Sequence, residues 1–183
     1  QLSLAELEKE IGEAVKLGCV CDKELFELFE KAHSDMELLR VLPEIIRRCC
    51  TIKAHYVEID PTGKKERRLL DFGHTIGGAI ERCCRYDDKT ITHGVATAIG
   101  IYLVTKRAEL LGLTTRGATS RLEYVLKSLS LPTETHIAPE ILAADMAKSK
   151  HVKEGKLQLA LMKEIGQGFL KEVTVEELAK YVK

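Results

Sequence analysis

The chain has 183 residues, 45% apolar and 31% charged, and its 28 basic and 28 acidic side chains cancel to a formal net charge of zero. That is the balance of an ordinary globular domain, and without a basic excess it offers no surface for nucleic acid or for an anionic membrane. No apolar run reaches the roughly 18 residues of a membrane span, and Gln1 to Glu6 lacks the basic start and apolar block of a signal peptide.

Helical patterns come first along the chain. Ser3 is placed to cap a helix from about Leu4 to Leu17, with Gly18 as its stop, and Glu13 and Lys16 fall three apart on one face of it. Asp22 caps a second helix with Leu25, Phe26, Leu28 and Phe29 as its apolar stripe. Ser34 caps a third, reaching about Val57, which Pro43 either divides in two or restarts. Asp60-Pro61-Thr62-Gly63 is a turn.

A fourth helical region covers about Lys65 to Arg85. Gly73, Gly77 and Gly78 at its centre weaken it and point to close packing or to a close-lying ligand. Tyr86 to Thr90 reads as a polar loop. A long apolar helix follows from His93 to Leu111, another from about Thr115 to Leu129, and a short one from Pro139 to Lys148. The period then changes. Leu157, Leu159 and Leu161 alternate as in a strand, Ile165 to Gly168 turns, and Phe169 to Val173 pairs back. Thr174 caps a last helix, Val175 to Tyr181. The expectation is one mainly α domain over residues 1–183 with a small β-hairpin near its C-terminus.

The cysteines fall as Cys19 and Cys21, Cys49 and Cys50, and Cys83 and Cys84, with no Cys-x-x-Cys pair. Adjacent cysteines on a helix diverge, so they read as reduced, partly buried thiols of a cytoplasmic protein. There is no Gly-rich dinucleotide fingerprint and no phosphate-binding loop of the Gly-x-x-x-x-Gly-Lys type.

Two histidines, His74 and His93, each beside a glycine, open helical patterns. With Glu13 they make a carboxylate-plus-two-imidazole set that suits a zinc ion keeping one position open. Their separation is not that of a zinc finger, so they must meet through the fold. Taken alone, each has a plainer reading as a cap, a packing residue or a solvated helix side chain. His33, His55 and His136 have no such context. Lys64, Lys65, Arg67 and Arg68 form a basic run, either a solvated turn or a site for paired anionic oxygens.

Three segments resemble the C-terminal domain of the dehydroquinate synthases, a family of sugar-phosphate cyclases. They are Ile11 to Gly18, Ile52 through Arg67 to Glu81 with its Gly73-His74-Thr75, and His93 to Gly100; a fainter match runs from Lys150 to Gly166. The resemblance implies that Glu13, His74 and His93 are zinc ligands, with cobalt or another divalent metal as a substitute. It also implies that Lys16, Lys53, Arg67 and Lys150 contact the carboxylate, hydroxyls or phosphate of substrate. The implied reaction is the cyclisation of a seven-carbon keto-sugar acid phosphate to dehydroquinate, in the shikimate route to aromatic amino acids. It passes through a transient NAD-dependent oxidation and phosphate elimination, and the substrate phosphate can take the proton. NAD would be held by an N-terminal half expected to lie outside this chain, so the isolated chain is expected to be inactive. A homodimer is compatible with the family.

Departures from the family pattern accompany these matches. Gly78 stands where the family has a second histidine, Asp71 where it has asparagine, and Val95 where it has glutamate. Ser149-Lys150-His151 replaces Asp-Lys-Lys, and Pro61-Thr62-Gly63 replaces an acidic run. An acid at position 71 would repel a phosphate. These changes leave three alternatives open: a slower or divergent enzyme of the family, a relative acting on another sugar phosphate or a polyol, and a non-catalytic metal-binding or scaffold domain.

Overall fold

A computed structural model describes residues 4–86, 91–149 and 151–182. The helices are α1 (Leu4–Val20), α2 (Lys23–Lys31), α3 (Asp35–Ile59), α4 (His74–Tyr86), α5 (His93–Leu110), α6 (Ala118–Ser128) and α7 (Pro139–Met146). Short 3-10 helices occupy Glu66–Asp71 and Val175–Tyr181, and β1 (Lys156–Glu164) pairs antiparallel with β2 (Gln167–Thr174). The mainly α reading with a terminal hairpin is what the chain adopts.

Local chemistry sets most boundaries. Asp22 accepts the Leu25 N–H at 3.1 Å and Ser34 accepts the Glu37 N–H at 3.3 Å, capping α2 and α3 as expected. The Ser3 cap lies outside the described residues, as does most of the Tyr86–Thr90 loop. Pro43 does not divide α3. It sits on the exposed side, and the carbonyl it leaves unbonded belongs to exposed Leu39, where water can satisfy it. The fourth helical region is divided instead. A 3-10 turn ends at Asp71, Gly73 takes φ +77°, and α4 starts afresh at His74. A left-handed residue cannot continue a right-handed helix, and only glycine adopts it freely. The last segment is 3-10 rather than α, held by a capping box between Thr174 and Glu177. In the hairpin, Leu157, Leu159 and Leu161 are buried and face the core.

Helix α5 runs through the core. Most of its length, including Ala96, Ala98, Ile99, Ile101 and Val104, is buried, and it packs against α1, α4, α6 and β1. Its small residues let neighbours approach to backbone contact. A Cβ on Gly12 would strike the Gly94 carbonyl, so α1 lies directly on the start of α5. A Cβ on Gly73 would meet the Ile101 backbone nitrogen at 2.8 Å. Gly12 precedes Glu13, Gly73 precedes His74, and Gly94 follows His93. The glycines that bring three helices together are therefore the chain neighbours of the three candidate ligands.

Candidate metal centre

Glu13 lies on α1, while His74 and His93 are the first residues of α4 and α5. Thr92 caps α5 by accepting the Val95 N–H at 3.3 Å, which fixes where His93 leaves the backbone. Glu13, His74 and His93 each offer a ligand atom, and these atoms all lie within 4.8 Å of one another. Glu13 Oε1 is 2.8 Å from His74 Nε2 and 3.5 Å from His93 Nε2. Neighbouring ligands of a tetrahedral zinc with bonds of about 2.0–2.1 Å stand about 3.3 Å apart, so this spacing fits the ion.

Lys16, three residues from Glu13, points into the same cluster. Only 3% exposed, it donates from Nζ to Glu13 Oε2 at 2.7 Å and lies 3.1 Å from His74 Nε2. One ring nitrogen cannot donate to Glu13 and accept from Lys16 in a single tautomer. A cation in place of the shared proton would let the carboxylate and both imidazoles turn lone pairs inward, so the donor set suits a divalent metal.

Electrostatics run the same way. Burial raises the Glu13 carboxyl, but the His74 hydrogen bond and the Lys16 charge outweigh it and hold the group well below the usual range. Burial lowers the Lys16 ammonium despite its contact with Glu13. Burial also lowers His74, but Asp71 and Glu13 overcome it and leave the imidazole raised.

A cleft of about 390 Å³ opens beside His74, lined by Arg68, Asp71, Arg82, Lys148 and His151 among others. Arg82 is fixed by Asp145, which accepts from Nε at 2.7 Å and from the terminal amino group at 2.6 Å. Its other terminal nitrogen lies 3.2 Å from where a Cβ on Gly78 would stand. The side-chain space opened by Gly78 is therefore occupied by an arginine one helical turn away. Apart from the i,i+4 spacing of Gly78 and Arg82, nothing in the sequence signals this placement.

The remaining candidates are placed as follows. Exposed Lys53 lines a separate, mostly apolar groove of about 280 Å³ between α1 and α3, with Glu13 at its edge. Arg67 donates to the Pro61 carbonyl at 3.5 Å, and its backbone N–H bonds Asp60 at 3.2 Å. It does not line the cleft beside His74; Arg68 does. Asp60 is buried and organises that loop, also accepting the N–H groups of Lys64 and Lys65. Lys150 lies outside the described residues. All six cysteines are free thiols, and burial pushes Cys21 up to about 11. Among the described residues no helix is long and apolar enough to cross a membrane.

The family model of the 3-dehydroquinate synthase C-terminal domain matches residues 10–152. This chain belongs to that family. It is 41% identical over 167 residues to a 3-dehydroquinate synthase of Clostridium perfringens, covering 91% of this chain and 47% of the relative. It is 36% identical over 183 residues to that of Clostridium acetobutylicum, covering 100% of this chain and 51% of the relative. The chain thus spans about half the length of the curated relatives it matches. Among solved structures, a 2-epi-5-epi-valiolone synthase from Streptomyces hygroscopicus with NAD+ and Zn2+ bound superposes with TM-score 0.83 at 25% identity. That match covers 99% of this chain and 51% of the other. A 2-deoxy-scyllo-inosose synthase complexed with carbaglucose-6-phosphate, NAD+ and Co2+ shares the fold, with TM-score 0.79 at 22% identity over 100% of this chain and 53% of the other.

Proposed function

We propose that this chain is the metal- and substrate-binding part of a 3-dehydroquinate synthase-like lyase. Glu13, His74 and His93 would hold zinc or cobalt, and NAD would be supplied by a partner half. The observation that carries the reading is the meeting of one carboxylate and two imidazoles, from three separate helices, within 4.8 Å. Relatives named for the reaction and a structural neighbour solved with NAD+ and Zn2+ support it.

When bound, the ion supplies a Lewis acid that favours ionisation of a substrate hydroxyl. The protein's own groups do the rest. Lys16 neutralises Glu13 through its 2.7 Å contact and keeps a cation at the edge of the centre. Arg68, Arg82 and Lys148 line the cleft next to His74, where their donors can bind the phosphate or carboxylate of a sugar acid phosphate. Because Asp145 fixes Arg82, that guanidinium is held before substrate arrives and little ordering entropy remains to be lost on binding. The resemblance adds Lys53, Arg67 and Lys150 as substrate contacts; of these, Lys53 lines the groove at whose edge Glu13 stands, and Arg67 lies outside the cleft beside His74.

Arg82 beside Gly78 favours a second reading, that of a cyclase acting on a related sugar phosphate. The test is reconstitution with the NAD-binding half of the Clostridium perfringens relative, zinc and NAD. Release of phosphate from the seven-carbon acid phosphate supports the first reading. Release only from another sugar phosphate supports the second, and bound zinc with no turnover of any such substrate contradicts both.

A further inference from the structure

Each candidate ligand ring has two nitrogens, and in both the nitrogen turned away from Glu13 faces a carboxylate. His93 Nε2 faces Glu13 Oε1 at 3.5 Å, while its Nδ1 lies 2.6 Å from Glu81 Oε1. His74 Nε2 faces Glu13 Oε1 at 2.8 Å, while its Nδ1 lies 3.9 Å from Asp71 Oδ1. From this double arrangement we infer that Glu81 and Asp71 are positioning residues of the metal centre. Glu81 holds the proton on Nδ1 of His93 by a hydrogen bond, and the charge of Asp71 favours the same tautomer of His74, so that Nε2 of each ring is left free to bind the ion. The inference rests on the proposed metal site.

The physical basis is tautomer control. A neutral imidazole carries one proton, and a carboxylate accepting it at Nδ1 fixes ring orientation and makes Nε2 a stronger donor to a metal. Glu81 is well placed for this. It lies two turns into α4, its side chain is 18% exposed, and Arg85 approaches its other oxygen at 3.6 Å, so the carboxylate is held from both sides. His93 itself is 57% exposed, so Glu81 is its closest ionic partner in fixing the ring.

Asp71 is less committed. At 3.9 Å it makes an ion-pair contact rather than a hydrogen bond, and its side chain is 49% exposed. Its place explains a departure that the sequence left as a defect. An acid at position 71 lies close to a phosphate cleft, but it also stands behind His74 and adds negative charge around a cation. Three carboxylates, Glu13, Asp71 and Glu81, then surround the two imidazoles, with Lys16 as the buried counter-charge.

The test is zinc affinity of the chain, measured by competition with a chromogenic chelator, together with the visible spectrum of the cobalt-substituted form. Glu81→Gln keeps the shape and removes the charge, Glu81→Ala removes both, and Asp71→Asn installs the residue the family carries. The expected result is a loss of zinc affinity of about 10–100-fold for the Glu81 variants and a smaller loss for Asp71→Asn. The cobalt band should shift in Glu81→Ala, and the melting temperature of the metal-free chain should stay near wild type in Glu81→Gln. Wild-type affinity and an unchanged cobalt band in both Glu81 variants would overturn the inference while leaving the metal site standing. A wild-type chain that takes up no zinc would overturn both.

Discussion

Two clusters of carboxylates in this molecule look alike by composition and differ in what fills them. Around Arg48, the side chains of Asp22, Glu24 and Glu44 gather on one guanidinium. Nε donates to Glu44 at 2.8 Å, one terminal nitrogen to Asp22 at 2.7 Å and the other to Glu24. All three nitrogens are engaged, so the cluster is filled by its own cation and joins α2 to α3. Around His74 and His93, Asp71 and Glu81 stand against the outer ring nitrogens, while one ligand atom each from Glu13, His74 and His93 gathers within 4.8 Å of the others beside the buried Lys16 ammonium. An acidic cluster that holds its own arginine is structural. One that aims imidazole nitrogens inward has room for a foreign ion.

The strongest way to break this contrast is at Glu13. Glu13→Ala leaves Lys16 buried without its partner, and removing one member of a buried pair costs about 3 kcal/mol or more. Urea denaturation should show that loss, and zinc uptake should vanish with it. Next is Gly12→Ala. Its methyl group would overlap the Gly94 carbonyl, which is backbone and cannot swing aside. We expect destabilisation of about 1–3 kcal/mol from overpacking and a marked fall in zinc affinity as α1 moves off α5.

Acidity should separate the two clusters further. His74 is raised above the ordinary imidazole value, so protons compete with the ion there. Zinc affinity should rise from about pH 6 to 8, by about tenfold per unit for each proton displaced. The metal-free chain behaves oppositely. The stabilisation from charged His74 is complete below the ordinary imidazole value and is lost as pH rises through the raised one. Glu13, whose folded-state value is depressed, contributes stability above the ordinary carboxylate value that is lost as pH falls towards its folded one. Melting curves of the metal-free chain across pH, beside chelator titrations, would show the two opposite trends. The smallest expected effect sharpens the comparison from the other side. Arg48→Ala should cost about 1 kcal/mol, since its partners are partly solvated, and leave zinc affinity unchanged.

Much of the fold was legible. Asp22 and Ser34 announce their helices because a cap is a local hydrogen bond, and Leu157, Leu159 and Leu161 announce a strand because burial alternates. Less legible was the break at Gly73. Periodicity runs on through Lys65 to Arg85, while the left-handed backbone at one glycine divides it. The meeting of Glu13, His74 and His93 came from family resemblance, since Glu13 stands 61 residues before His74 and His93 a further 19 after it, which is no local metal-binding spacing. The partner roles of Glu81 and Arg82 were not visible. The first depends on how α4 turns back to α5, and the second on the space that a missing side chain at Gly78 leaves.

The most direct measurement is metal analysis of the purified chain after dialysis against zinc, alongside His74→Ala and His93→Ala. The prediction is about one zinc per wild-type chain with a raised melting temperature, and loss of both in either variant. A wild-type chain without bound zinc and with no metal-dependent change in melting would contradict the account.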